Sequence, residues 1–141
     1  ATVLKNFEDA GFDTDDQVIA YLKTYGFEEE LIYSPVCDLS GGEKNLLQLA
    51  KISRTGAGLL LLDEPVSGLD PRVTAEMYQL IRNLNKKDGI TIIMISHDIA
   101  AAVKYATHIL HIGEHCFFGT KKQYLESSLG KAFTGQEGED E

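Results

Sequence analysis

The chain has 141 residues, 22 of them acidic against 13 basic, for a formal net charge of −9. That is the length of one domain, and 43% hydrophobic content is enough for a core. The negative balance repels nucleic-acid phosphate and anionic membrane surfaces, and so argues against either as a direct partner. The acid collects in Glu28-Glu29-Glu30 and in Glu137, Glu139, Asp140 and Glu141. Solvated faces and a frayed terminus explain such runs without any function. Cys37 and Cys116 have no paired spacing, which fits a reducing compartment. No stretch approaches the roughly 20 apolar residues of a membrane span, and none reads as a signal peptide. The chain begins at Ala1 rather than Met, so either processing removed the Met or the sequence is a piece of something longer.

Residues 1–38 read as helical and loose. Within them, 16–25 places Val18, Ile19 and Leu22 on one face, with Gly26 as a natural stop. Ser34-Pro35 reads as a turn. Ser40 and Glu43 have capping-box spacing, and the helix they open turns Leu46, Leu49, Ala50 and Ile52 inward and ends before Gly56. Leu59–Leu62, too short for a helix between Gly58 and Pro65, predicts a buried strand. Asp70 caps a long helix with Pro71 at its first position, and Gly89 ends it. Its apolar residues Val73, Met77, Leu80, Ile81 and Leu84 recur at helical spacing. Residues 90–95 (ITIIMI) predict a parallel strand buried on both faces. Asp98 caps a third helix to about Ala106. Residues 108–112 and 115–118 predict a hairpin around Gly113-Glu114, and 121–128 a short last helix. The alternation of strand and helix is α/β logic with right-handed crossovers.

Two of these features carry chemistry. The Leu39-Ser40-Gly41-Gly42-Glu43 helix start is an anion-binding device, because unpaired N–H groups and the positive end of the helix dipole point outward. Leu59–Leu62 running into Asp63-Glu64-Pro65 is how a buried strand delivers carboxylates to the mouth of a site. One suits phosphate, the other a metal and a water, and together they suggest nucleotide hydrolysis. Each residue also has a plainer reading. Ser40 and Glu43 can simply cap a helix, Asp63 and Glu64 can be a strand end meeting solvent, and Asp70 can be an ordinary N-cap. His97 alone can be a satisfied polar residue. His108, His111, His115 and Cys116 are metal-ligating types, but on a strand His108 and His111 point to opposite faces. They read as surface hairpin histidines rather than a zinc site.

LSGGE, LLLLDEP, Ser67-Gly68-Leu69-Asp70 and Ser96-His97-Asp98, in this order, resemble the C-terminal half of an ABC-type ATPase nucleotide-binding domain over roughly residues 20–130. The resemblance implies an α/β fold: a partial P-loop NTPase (RecA-like) core with parallel strands and flanking helices, preceded by part of the helical subdomain. Residues 1–55 would be that helical portion, 56–133 the Walker B half of the core, and 134–141 a disordered acidic tail. ATP and Mg²⁺ are the implied cofactors. Asp63 matches the carboxylate that holds Mg²⁺, usually through water. Glu64 matches the one that orients or deprotonates the attacking water. His97 matches the switch histidine that contacts the γ-phosphate. Ser40, Gly41, Gly42 and Glu43 match the signature, which grips the nucleotide of the opposite subunit, and neither glycine has a Cβ to block that approach. Asp70 matches the D-loop aspartate linking two sites across a dimer. The implied partners are a second ABC ATPase domain and transmembrane permease subunits. The implied place is cytoplasmic, peripheral at the inner face of the membrane.

The 141 residues contain no G-x-x-x-x-G-K-[ST]. Gly130-Lys131 is followed by Ala132, Leu125 stands where the first glycine should be, and Gly119-Thr120-Lys121 fails as well. Alone, the chain is expected to bind ATP poorly and hydrolyse it hardly at all. In the family's fold the P-loop strand lies between the strands matching 90–95 and 108–112, so those two either close up or take a filler from elsewhere. Tyr21 to Lys51 resembles ABC ATPases that act as translation factors, whereas Glu64 to Phe133 resembles zinc or manganese importer ATPases. The longer match favours a transport ATPase. The alternatives are a truncated or chimeric, non-catalytic module that lends its signature to a partner, and a translation-factor fragment, which the acidity disfavours.

Overall fold

The computed structural model describes residues 1–135, in two compact units, Ala1–Ile95 and Ser96 onward. The first unit begins with a 3₁₀ turn, Leu4–Phe7, followed by α1 (Asp15–Thr24), α2 (Glu29–Ile32), a second 3₁₀ turn at Val36–Asp38 and α3 (Gly41–Ser53). It ends with β1 (Leu59–Asp63), α4 (Pro71–Lys86) and β2 (Thr91–Ile95). Thr14, absent from the sequence reading, caps α1 by accepting the Gln17 N–H. Gly26 ends the helix as expected, at φ +84°.

Residues 1–38 are helical but not loose. Val3, Phe7, Leu22 and Ile32 are all 0% exposed. The ends of the segment are tied by a Thr2–Pro35 bridge and by the Val3 N–H donating to Ser34 O at 3.0 Å. Phe7, Phe12 and Tyr21 form an aromatic cluster with ring centroids 5.2–6.3 Å apart. The cluster reaches α3 through the Tyr21 hydroxyl, which donates to Ala50 O at 2.8 Å and also meets the Tyr25 and Ser53 hydroxyls. Burial pushes the Tyr21 phenol well above its ordinary pKa. The Arg54 guanidinium stacks 4.3 Å from the Phe12 ring and donates to Ala10 O.

α4 joins β1 to β2, which pair in parallel from Leu59 opposite Thr91 to Asp63 opposite Ile95. Met77, Tyr78, Ile81 and Leu84 of α4 are buried. The strands stand where the apolar runs placed them, yet they are not buried on both faces. Leu60 is buried, while Leu61 is 63% and Ile93 51% exposed. The cause is the two-residue period of a strand: cover on one face alone buries every second side chain and leaves the rest in solvent.

The second unit holds α5 (Ile99–Tyr105), β3 (His108–His111), β4 (Phe117–Thr120), α6 (Lys121–Glu126) and α7 (Ser128–Thr134). Asp98 caps α5 as expected, accepting the Ala101 N–H at 3.0 Å. The hairpin forms, with its second strand starting at Phe117 rather than at residue 115. Among the described strands β3 pairs only with β4, and β2 only with β1. The short last helix becomes two, because Ser127 turns extended (ψ 153°) and its hydroxyl caps α7 by accepting the Gly130 N–H. A Cβ at Gly130 would lie 1.8 Å from Tyr124 O, so only glycine permits this return. α7 covers Thr134, where the acidic tail was expected to begin, and the rest of that expectation, 136–141, lies outside the described residues.

His108 stacks on Phe118, while His111 bonds the Tyr124 hydroxyl at 3.0 Å and meets the Phe133 ring edge-on. The two histidines thus have separate neighbourhoods, and His111 is half-buried rather than a surface residue.

Candidate functional site

The capping box at the start of α3 forms in full. The Ser40 N–H donates to Glu43 Oε2 at 2.7 Å, and the Glu43 N–H donates to Ser40 Oγ at 3.2 Å. A first helical turn has four N–H groups without intrahelical acceptors. The box satisfies those of Ser40 and Glu43 and commits the Glu43 carboxylate to the backbone. It leaves the Gly41 and Gly42 N–H groups, with the Ser40 hydroxyl proton, as the donors an anion could use. The two glycines differ in surroundings. A Cβ at Gly41 would meet nothing within 4 Å, so an approaching group has room there. At Gly42, which is buried, it would lie 2.5 Å from Val73 Cγ1.

Asp63 ends β1 and is exposed, and Glu64 follows in a left-handed conformation at φ +45°, unusual for a residue with a side chain. The Glu64 N–H donates to Ile95 O at 3.0 Å, fastening the turn to the last residue of β2. The two adjacent carboxylate residues therefore stand where both parallel strands end, the side on which open α/β sheets gather ligand groups. Ser67 N donates back to Glu64 O at 3.1 Å, and Gly68 at φ +73° leads the chain towards Asp70. Asp70 Oδ1 accepts from the Arg72 and Val73 N–H groups at 2.9 and 3.0 Å, so the carboxylate matched to the D-loop is also a working N-cap.

The first unit thus holds seven of the eight sequence candidates, Ser40, Gly41, Gly42, Glu43, Asp63, Glu64 and Asp70. Val73 lies against Gly42, and Asn45 Nδ2 donates to Pro65 O at 3.4 Å, so the start of α3 touches both the turn after Glu64 and the start of α4. Asn45 and Val73 were not candidates, since neither sequence spacing nor residue type marks a contact between distant elements. His97 belongs to the second unit, exposed between Ser96 and Asp98, with the Asp98 N–H bonded to Ser96 Oγ.

Residues 4–103 match the family model described as "AAA domain, putative AbiEii toxin, Type IV TA system". The chain belongs to this AAA-type ATPase domain family. The chain is 36% identical over 108 residues to the zinc import ATP-binding protein ZnuC of Pseudomonas fluorescens, a match covering 76% of the chain and 41% of that protein. Its fold matches cbiO1 of Clostridium perfringens, part of the ABC transporter complex cbiONQ, with a TM-score of 0.72 and 27% identity over 97% of the chain and 58% of cbiO1. It also shares the fold of the ATP-binding cassette MJ0796 in its dimeric post-hydrolysis state bound to ADP and Pi. That match has a TM-score of 0.65 and 24% identity, over 83% of the chain and 56% of the cassette. The chain is therefore mixed α/β of the ABC-cassette kind, and the metal-importer likeness seen in its second half is supported. The chain spans 32% to 42% of the length of the first curated relatives it matches. No helix among the described residues is long and apolar enough to cross a membrane.

Proposed function

We propose that this chain is the signature and Walker B portion of an ABC transporter ATPase, which hydrolyses ATP within a dimer to drive solute transport through permease subunits. The zinc-import relative favours a metal ion as the solute. The observation that carries the reading is the Asp63-Glu64 pair at the shared end of two parallel strands, with Glu64 held at φ +45° and bonded to Ile95.

In this reading Glu64 orients the attacking water and accepts its proton. Asp63 would hold Mg²⁺, and the donor chemistry fits: a hard cation takes one or two carboxylates and completes its shell with phosphate oxygens and water. When bound, the ion offsets the charge of the phosphate oxygens. His97 contacts the γ-phosphate, the Ser40 hydroxyl and the Gly41 and Gly42 N–H groups receive the partner's nucleotide, and Asp70 links the two sites. Residues 1–55 serve as the helical portion and 56–133 as the Walker B half of the core. The assembled subunit is peripheral at the inner face of the membrane.

The test supplies a P-loop segment, in cis or in trans, and measures ATP turnover. Turnover should appear, and Glu64→Gln should abolish it; turnover that survives the substitution removes Glu64 from the base role. The absence of G-x-x-x-x-G-K-[ST] from the sequence favours a second reading, in which the chain only lends its signature to a competent partner. Micromolar ATP affinity of the chain alone would contradict both readings of it as part of a site.

A further inference from the structure

We propose that Gly42 is a positioning residue that locks the signature turn to the Asp70-capped helix. The Cβ it lacks would lie 2.5 Å from Val73 Cγ1 and 3.5 Å from both Val73 Cβ and Leu69 Cδ2. Val73 cannot turn aside cheaply, since roughly nine in ten helical valines share one χ1 rotamer. It also sits in the first turn of α4, with its N–H bonded to Asp70 Oδ1 at 3.0 Å. The contact is therefore a fixed one, between the N-terminal turn of α3 and the cap of α4. Asn45, one turn into α3, adds the bond to Pro65 O. Ser40 and Gly41 are thereby tied to the segment that follows Glu64, so a displacement of that segment carries the anion-facing turn with it.

This inference rests on the reading of Ser40–Glu43 as a signature, and the experiment separates the two. Melting temperatures of the full chain are measured for Gly41→Ala, Gly42→Ala, Val73→Ala and Gly42→Ala/Val73→Ala. Gly41→Ala should leave the melting temperature unchanged. Gly42→Ala should lower it by about 5 °C, the scale of an overpacked contact in a domain of this size. Val73→Ala should recover most of that loss in the double variant. In the P-loop-supplemented dimer, well below melting, Gly42→Ala should reduce kcat about tenfold with KM for ATP unchanged, and Val73→Ala should restore kcat. A Gly42→Ala chain that melts and turns over like the parent, or one that Val73→Ala does not rescue, overturns the lock. So does a melting loss with parental kcat, which would leave only packing. If Ser40→Ala leaves turnover untouched, the signature reading fails instead, whatever Gly42 does.

Discussion

Phe7, Leu22 and Ile32, in short helices and turns, are 0% exposed, whereas Leu61 and Ile93, in five-residue strands of the same unit, are more than half exposed. The strands are the more hydrophobic segments and the less buried. A helical segment closes its own core, because turns and caps let successive pieces fold back on one another, as the Thr2–Pro35 bridge does here. A two-stranded parallel pair cannot, since its second face and its outer edges need cover from other elements. The candidate carboxylates stand at the end of this less protected pair. α3 ties the two regions together, with Tyr21 bonded to Ala50 near its C-terminal end and Val73 against Gly42 at its start.

The contrast is broken most directly by truncating one side chain in each region. Phe7→Ala should cost about 3–5 kcal/mol, enough to unfold much of the chain, because it empties a fully closed site. Leu61→Ala should stay within about 0.5 kcal/mol, the range of surface substitutions. Urea denaturation of the two variants is the measurement. A Leu61 loss comparable to that of Phe7 would mean the exposed strand face is covered in solution, for instance by self-association.

What was legible in the sequence was local. Ser40 with Glu43, Asp70 with Pro71, and Asp98 each declare a helix start within three residues, and all three caps form. The parallel strands were legible as apolar runs between helices, and the four ordered motifs marked the family. What stayed hidden depended on partners distant in sequence. Nothing near Leu61 or Ile93 records which face has cover. Nothing near Gly42 announces Val73, so its missing Cβ read as room for a ligand when it is room for a neighbour. The compactness of residues 1–38 was hidden for a related reason. Four-residue turns such as Leu4–Phe7 are too short to show a period, so Phe7 and Val3 gave no pattern pointing inward.

Glu64 offers a smaller test within the strand region, one that isolates backbone strain from side-chain contacts. At φ +45° a residue with a Cβ is disfavoured by about 1 kcal/mol relative to glycine. Comparing Glu64→Gly with Glu64→Ala cancels whatever the carboxylate itself contributes. The glycine variant should be the more stable by about 1 kcal/mol in chemical denaturation. Equal stabilities would mean that the turn relaxes to an ordinary conformation once the side chain is gone.

The smallest expected effect lies in the helical region, at Tyr21, where burial holds the phenol neutral against its ordinary tendency to ionise. Its folded pKa is raised, so the stability it contributes is fully present below the unfolded value near 10 and is lost as pH rises through that value towards the folded one. The urea midpoint of the parent chain should therefore fall as pH is taken from about 9 to 11. Tyr21→Phe should start lower at neutral pH, having lost the bond to Ala50 O, and should fall less steeply, so that the two curves converge. Tyr124, also raised by burial, contributes the same slope to both proteins and cancels in the difference. Parallel curves would mean that Tyr21 ionises as readily folded as unfolded, and that the closure of the helical core stops short of its hydroxyl.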